Sequence, residues 1–496
     1  MLNDFVQIND GARDYLSISY FGKDNKKYIK NIDITNHMFD WTAERQPKMA
    51  PDRKYISWDG KPVYKLASKH LSRTRQYDLI EELLSPEEKA DVFCNSKPKY
   101  TFCDIETKVG DKGFPTPDKA AQPITCIGTS CDSHIIVRGS KPLSDKDIKD
   151  IETQIRKHFS EDRWTFEYRY YARENAMMDA FSDDVRNTDI LTGWNFTGFD
   201  MMYIMNRNKN IGVNSTKMSP IGIISPGSYE REVPDTPYHI LVVDYMKIYK
   251  MMDNKAPSYK LDDIGLKEVG IRKVTHSETL DELYEKDYKR YIYYNAIDCG
   301  LVQKIDEKVK SLAIACMMCQ YTMTKLSSMS AKTAITENYM RHAFFVDNKV
   351  ITKETKKKVE KEGYEGAFVA EPVKGLHKMI TCNDYASLYP TSAREFNIGP
   401  EVLVGKFEGA TLQKFKDDWE HYIVTPNGTV YKREDGYFKK ELTRLYNDRK
   451  KHKKTSWICK QTGYELGKLL DADASDDEVK AYIKEHAKDI ATIMNL

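Results

Sequence analysis

Tyr100-Thr101-Phe102-Cys103-Asp104-Ile105-Glu106-Thr107 is the stretch on which the reading of this chain turns. Its first four residues have the pattern of a strand. Side chains alternate along a strand, so Asp104 and Glu106 project from one face as neighbours. Two carboxylates that close repel, and one pKa rises unless a cation lies between them. A strand-borne D-x-E is therefore a bed for Mg²⁺ or Mn²⁺, which prefer oxygen ligands. An edge strand carrying two solvated acids is the alternative. The tetrapeptide recurs as Asp150-Ile151-Glu152-Thr153. There Ile148, Ile151, Ile155 and Phe159 recur at helical spacing, which predicts an amphipathic helix with Asp150 and Glu152 on its solvated side.

Outward from that strand lie a Gly/Pro loop (110–117), two strand-like runs (124–129 and 134–137) and a helix from Ser144. A strand near 189–194, a helix after Asp200, an extended stretch over 221–243 and a helical segment over 280–312 follow. Strands and helices in this order predict an α/β domain. Upstream, residues 1–98 mix short strands and turns with a helical patch at 77–90. Downstream, a Lys/Glu-rich linker (353–362) precedes strand-like runs at 364–369 and 379–384. From residue 439 the chain reads as basic and helical. Ser475-Asp476-Asp477-Glu478 is a capping box opening a last helix. Val479, Ile483, Ala487, Ile490 and Met494 make an apolar stripe on it that needs a packing partner.

Composition bounds the function. At 496 residues the chain has room for roughly three domains of about 150 residues each. No run of about 18 apolar residues occurs, which excludes a transmembrane helix. The opening MLNDFVQINDGARDYL lacks a basic segment followed by an apolar one, so no secretory signal is expected. Net charge is +2, from 77 basic and 75 acidic residues, which neither demands nor forbids a nucleic-acid partner. The nine cysteines fit reduced thiols. Cys316 and Cys319 form a lone C-x-x-C in an apolar helical stretch and read as structural, since a zinc site needs four ligands. The expectation is a soluble, cytoplasmic, multidomain protein without membrane contact.

Further acids stand at suggestive places. Asp200 closes Asn195-Phe196-Thr197-Gly198-Phe199-Asp200 and opens a helix, where an N-cap is the plain reading. Tyr294 and Asp298 are four apart on a helix and share a face. Singly, each has a structural explanation. As an ordered set they resemble the three motifs of the proofreading 3′→5′ exonucleases with four acids and a tyrosine, which have an RNase H-like fold. The resemblance implies that Asp104, Glu106, Asp200 and Asp298 hold two divalent ions and that Tyr294 orients the attacking water. Two ions about 3.5–4 Å apart can serve the attacking and leaving oxygens of a phosphodiester, so no protein nucleophile is required. No G-x-S-x-G, H-E-x-x-H or G-x-x-x-x-G-K-[ST] points to another chemistry.

Asp384-Tyr385-Ala386-Ser387-Leu388-Tyr389-Pro390-Thr391 is the sharpest motif in the chain. Residues 379–382 before it read as a strand, and Pro390 suits a first helical turn. The octet resembles motif A of family B DNA polymerases. That resemblance makes Asp384 a catalytic metal ligand and places Leu388 and Tyr389 at the nucleotide, with Tyr389 stacking beneath the deoxyribose and excluding a ribose 2′-OH. Tyr364-Glu365-Gly366-Ala367-Phe368-Val369 is similar to the family's tyrosine–glycine element, with Ala367 where a second glycine is common. Residues 439–454 hold eight Lys or Arg against two acids. Arg449 and Lys453, one turn apart on a helix, resemble the fingers residues that meet the incoming triphosphate.

The resemblance covers essentially the whole chain and is closest to T-even-type bacteriophage polymerases. It implies an α/β and α+β multidomain protein. Residues 1–98, completed by about 311–354, would form a mixed β N-terminal domain. Residues 99–310 would form the exonuclease, 355–440 a partial palm and 441–496 the first part of the fingers. It implies Mg²⁺ or Mn²⁺, two ions per active site, and as partners primer-template and single-stranded DNA, dNTPs, a sliding clamp and other replisome proteins. The fingers lysine motif K-x-x-x-N-S-x-Y-G and the palm D-T-D occur nowhere in the 496 residues. The expectation is therefore the N-terminal polypeptide of a split polymerase, synthetic only with a C-terminal polypeptide that supplies them. A stand-alone 3′→5′ exonuclease and a non-catalytic nucleic-acid-binding or assembly module are the alternatives.

Overall fold

The computed structural model describes the chain except residues 48, 110–114, 229–232, 254, 275–278, 354–368, 386, 472–474, 488–489 and 492–496, and except the side chains of Leu470 and Asp471. The loop expected at 110–117, most of the linker and the tyrosine–glycine element apart from Val369 thus fall largely outside the described residues. The chain divides into two compact units, one of residues 1–40 and 65–342, the other of residues 41–64 and 343–496.

The first unit opens with an antiparallel sheet of β1 (Leu2–Asn9), β2 (Asp14–Phe21) and β3 (Lys27–Asp33). Two helices follow, α1 (Arg73–Leu83) and α2 (Pro86–Val92). The single helical patch expected at 77–90 is broken at Leu84, because Ser85 caps a new helix with Glu88 and Pro86 occupies its first turn.

The centre of this unit is a six-stranded mixed sheet. Its strands are β4 (Tyr100–Thr107), β5 (Ile124–Cys131), β6 (His134–Gly139), β7 (Thr165–Tyr170), β8 (Ile190–Gly193) and β9 (Leu241–Asp244), in the order β7-β6-β5-β4-β8-β9. β5 runs antiparallel to both neighbours, whereas β4, β8 and β9 are mutually parallel. β4 is an interior strand, so the edge-strand reading of Asp104 and Glu106 does not hold.

Alternation along β4 divides its side chains between two cores. Phe102 joins Ile151, Ile155 and Phe159 of α3 (Asp145–Phe159) and Ile292, Ala296 and Ile297 of α9 (Tyr288–Val309). Cys103 and Ile105 join the opposite core, with Met177, Met178 and Phe181 of α4 (Glu174–Val185) and Met201, Tyr203 and Ile204 of α5 (Asp200–Ile211). Asp104 and Glu106 share the parity of Phe102, which turns them toward α9.

The extended stretch expected over 221–243 reduces to short pieces, Ile224–Ser225 paired with Thr236–Pro237, before β9. The helical segment expected over 280–312 is three helices, α8 (Leu280–Lys286), α9, and α10 (Ser311–Tyr321). The breaks fall at Asp287 and at Lys310, whose left-handed backbone ends α9. Cys316 and Cys319 are buried in the core on α10, as a structural reading requires.

In the second unit, β10 (Leu403–Lys406), β11 (Tyr422–Val424) and β12 (Thr429–Lys432) form an antiparallel sheet in the order β10-β12-β11. Gly428, at φ +82°, closes the β11–β12 turn. The unit also carries α12 (Leu388–Glu395) and the long α14 (Tyr437–Asp471), held together where Arg394 Nε donates to Thr443 Oγ1 at 3.1 Å. Residues 379–382 form no strand, a departure from the sequence reading. A strand exists only with a partner ladder, and no described segment pairs with them. The capping box at Ser475 is formed and opens α15 (Asp476–Glu485). Among the described residues no helix is long and apolar enough to cross a membrane.

Candidate active site

Asp104 and Glu106 from β4 meet Asp298 from α9. One carboxylate oxygen from each lies within 4.8 Å of the others. Glu106 and Asp298 are 8% and 3% exposed, and Asp104 is half-buried. Burial pushes all of the strand acids toward the neutral form, and their mutual repulsion adds to it. Asp104 is pushed up to about 7, by burial first and the charge of Asp298 second. Glu106 is raised well above its ordinary value by burial, Asp104 and Asp298. Glu106 accepts no hydrogen bond through its carboxylate among the described residues. A buried acid without a donor, beside two more acids, is the donor set a hard divalent cation requires.

Lys273, which the sequence reading did not single out, supplies positive charge to this cluster. Its Nζ lies 2.6 Å from Asp298 Oδ2 and 5.0 Å from the centre of the Tyr294 ring. Burial works against its charge, but Asp298, Tyr294 and Asp104 outweigh that and hold the ammonium protonated. Tyr294 is one helical turn before Asp298. Burial, then the Asp298 charge, raises its phenol so that it keeps its proton. Asn295 was also missed. Its Nδ2 donates to Asp104 Oδ2 at 2.9 Å.

Asp200 sits beside this group but outside its tight triangle. β8 pairs with β4 only as far as Phe102, and the Ile105 N–H beyond donates to Asp200 Oδ1 at 3.1 Å. Burial, then Asp104, raises Asp200 well above its ordinary value. The loop that delivers Asp200 turns on Asn195, whose φ is +61°. It is tied down by Asp244 Oδ2, which accepts from the Thr197 amide and hydroxyl at 3.3 and 3.1 Å. Asp200 is the first residue of α5, and the N-cap is Phe199. A cavity of about 620 Å³ has Asp4, Thr197, Asp244, Lys247 and Lys325 in its lining, and none of the clustered acids.

The second motif is arranged differently. Asp384 lies on irregular, exposed chain before α12. Ser387 takes a left-handed backbone at the helix start, and Pro390 falls in the first turn. Leu388 and Tyr389 are 51% and 80% exposed. Arg449 and Lys453 are exposed one turn apart on α14. Among the described residues no second group of metal-ligating side chains gathers around Asp384.

Residues 64–264 match the family described as DNA polymerase family B, exonuclease domain, and residues 319–471 match DNA polymerase family B. The DNA-directed DNA polymerase of Escherichia phage RB69 is 30% identical over 386 residues, covering 72% of this chain and 42% of that protein. The DNA-directed DNA polymerase of Enterobacteria phage T4 is 29% identical over 315 residues, covering 60% and 34%. The DNA polymerase delta catalytic subunit of Schizosaccharomyces pombe is 25% identical over 309 residues, covering 57% and 28%. The chain therefore spans less than half the length of these relatives. Tyr294 and Asp298 fall between the two matched stretches, and it is the fold that brings Asp298 onto the strand acids inside the first. With both parts of one family matched in order along its length, the chain belongs to the family B DNA polymerases.

Proposed function

We propose that this chain is a metal-dependent 3′→5′ exonuclease that proofreads DNA. It becomes a template-directed polymerase only with a second polypeptide that carries the rest of fingers, palm and thumb. The observation that carries the reading is the convergence of Asp104, Glu106 and Asp298 within 4.8 Å, in a chain that matches the family's exonuclease over residues 64–264.

Asp104, Glu106 and Asp298, with Asp200 beside them, would hold Mg²⁺ or Mn²⁺. Bound there, such ions lower the pKa of water and offset charge on the phosphodiester. The chain's own groups do the rest. Tyr294 keeps its proton and presents a hydroxyl that can orient a water in line with the terminal phosphorus. Lys273 offsets the carboxylate charge beside Asp298 and fixes the Tyr294 ring. The water gives up a proton to solvent as its oxygen bonds to phosphorus, the bond to the 3′ oxygen breaks, and that oxygen takes up a proton from solvent.

For synthesis, Asp384 would bind metal, Leu388 and Tyr389 would contact the nucleotide, and Arg449 and Lys453 would meet its triphosphate. The second palm carboxylate and the fingers lysine must come from residues outside these 496. Residues 1–98 with 311–354, 99–310, 355–440 and 441–496 are assigned as N-terminal domain, exonuclease, partial palm and partial fingers. Primer-template, dNTPs and a sliding clamp would be the partners, in the cytoplasm of a host cell if the chain is viral.

A stand-alone exonuclease is the second reading. It is favoured by the exposure of Asp384 beside the completeness of the acid group on β4 and α9. Labelled single-stranded DNA with Mg²⁺ or Mn²⁺ is the test. Digestion that Asp104→Ala abolishes supports both readings, and primer extension on adding a polypeptide with the missing motifs selects the first. No digestion with either metal would leave a non-catalytic module.

A further inference from the structure

The ladder places Gly128 of β5 directly opposite Asp104 of β4. Helix α9 crosses the sheet at this point. A Cβ on Gly128 would lie 2.2 Å from Asn295 Oδ1 and 2.7 Å from Cys299 Sγ, so the helix can approach this closely only over a glycine. Asn295 is fully buried. Its Nδ2 donates both to Asp104 Oδ2, at 2.9 Å, and to the Asp104 backbone carbonyl, at 3.3 Å.

The other end of the amide is the informative one. Asn295 Oδ1 is buried and accepts no hydrogen bond. A purely structural asparagine would satisfy both ends, because an orphaned buried acceptor is costly. Turning the amide over would set its oxygen against the carboxylate, which is worse still. The orientation therefore answers to Asp104 alone. Among the described residues Asp104 Oδ1 accepts no hydrogen bond, so the clamp fastens one oxygen and leaves the other without a donor. A neutral donor suits the task, since an ammonium at this point would compete with the cation for the same charge.

We propose that Asn295 is a positioning residue that presents Asp104 to the metal, and that Gly128 exists to admit it. The proposal rests on the metal-dependent exonuclease reading. It predicts a specific cost, because hydrogen bonds behind a metal ligand set its orientation and typically govern affinity ten- to a hundred-fold.

The test measures Mn²⁺ binding by electron paramagnetic resonance, alongside digestion of a labelled single-stranded oligonucleotide, for the full chain and for Asn295→Ala and Asn295→Leu. Leucine fills the space and removes the donor, together with an acceptor that has no partner. Both variants are expected to bind Mn²⁺ about ten-fold or more weakly. They should need correspondingly more Mn²⁺ for half-maximal digestion, with KM for the oligonucleotide unchanged. Mn²⁺ binding by the leucine variant equal to that of the parent overturns the proposal, whether or not the alanine variant folds. A parent that binds Mn²⁺ and digests nothing sinks the exonuclease reading instead, and the binding series still decides the role of Asn295. A parent that binds no Mn²⁺ ends both.

Discussion

The same four residues, Asp-Ile-Glu-Thr, occur in this chain as a candidate metal bed and as ordinary helix surface. On β4, Asp104 and Glu106 fall on one face because a strand repeats every two residues. On α3, Asp150 and Glu152 diverge around the axis, and each finds its own cation. Asp150 Oδ2 lies 2.8 Å from Lys289 Nζ, and Glu152 Oε1 lies 2.5 Å from an Arg156 nitrogen. Glu152 also accepts from the Phe166 amide at 3.1 Å. Ile151 is buried in one of the two cores that β4 divides, and Ile105 in the other. The hydrophobic residue anchors both copies, and the period of the backbone decides whether its acidic neighbours are pooled or dispersed.

The sharpest way to break this contrast is at its centre. Asp104→Ala should reduce digestion of single-stranded DNA by at least on the order of a hundred-fold, the usual cost of removing one group that stabilises developing charge. Residual activity within a few-fold of the parent would mean that the pooled acids are not the reactive ones. Lys273→Met is expected to slow digestion about ten-fold at saturating Mn²⁺, as loss of one charge-assisted hydrogen bond to Asp298 would. An unchanged rate would reduce Lys273 to a bystander.

The pooled acids should also make stability depend on pH in a way the dispersed ones do not. Asp104 sits at about 7 in the folded chain, and Glu106 and Asp200 are raised as well. Their protonation favours the fold below the ordinary carboxylate pKa, and that contribution is lost as pH rises through about 7. Mn²⁺ replaces the missing protons. Its effect on Tm should be small at pH 5 and a few degrees at pH 8, equivalent to about 2.7 kcal/mol at a hundred times Kd. Equal gains at both pH values, measured by thermal melts with and without Mn²⁺, would argue against an acid cage. The smallest effect belongs to the other copy. Asp150→Ala should change stability by no more than about 0.5 kcal/mol, as expected of a surface pair, and leave digestion at the parental rate.

Much of this was legible beforehand because it depends on local period. The strand at Asp104, the amphipathic helix at Asp150 and the shared face of Tyr294 and Asp298 follow from spacing alone. Lys273 and Asn295 were not legible, since each matters only through a partner far away in sequence. Asn295 sits beside Tyr294, but the Asp104 carboxylate it serves is 191 residues away in sequence. Lys273 stands beyond the end of α7 (Leu261–Val269), with no periodicity to mark it. The strand expected at 379–382 failed for a related reason. A run of β-formers becomes a strand only where another backbone accepts its ladder.

Asp200 does more than stand near the other acids. By accepting from Ile105 N–H it takes the place that β8 vacates where the ladder stops. An oxygen engaged in this way cannot swing toward an incoming ion without freeing the amide it covers. The proton on Ile105 is therefore a built-in gauge, and its chemical shift in a nuclear magnetic resonance titration would report which way that side chain has turned.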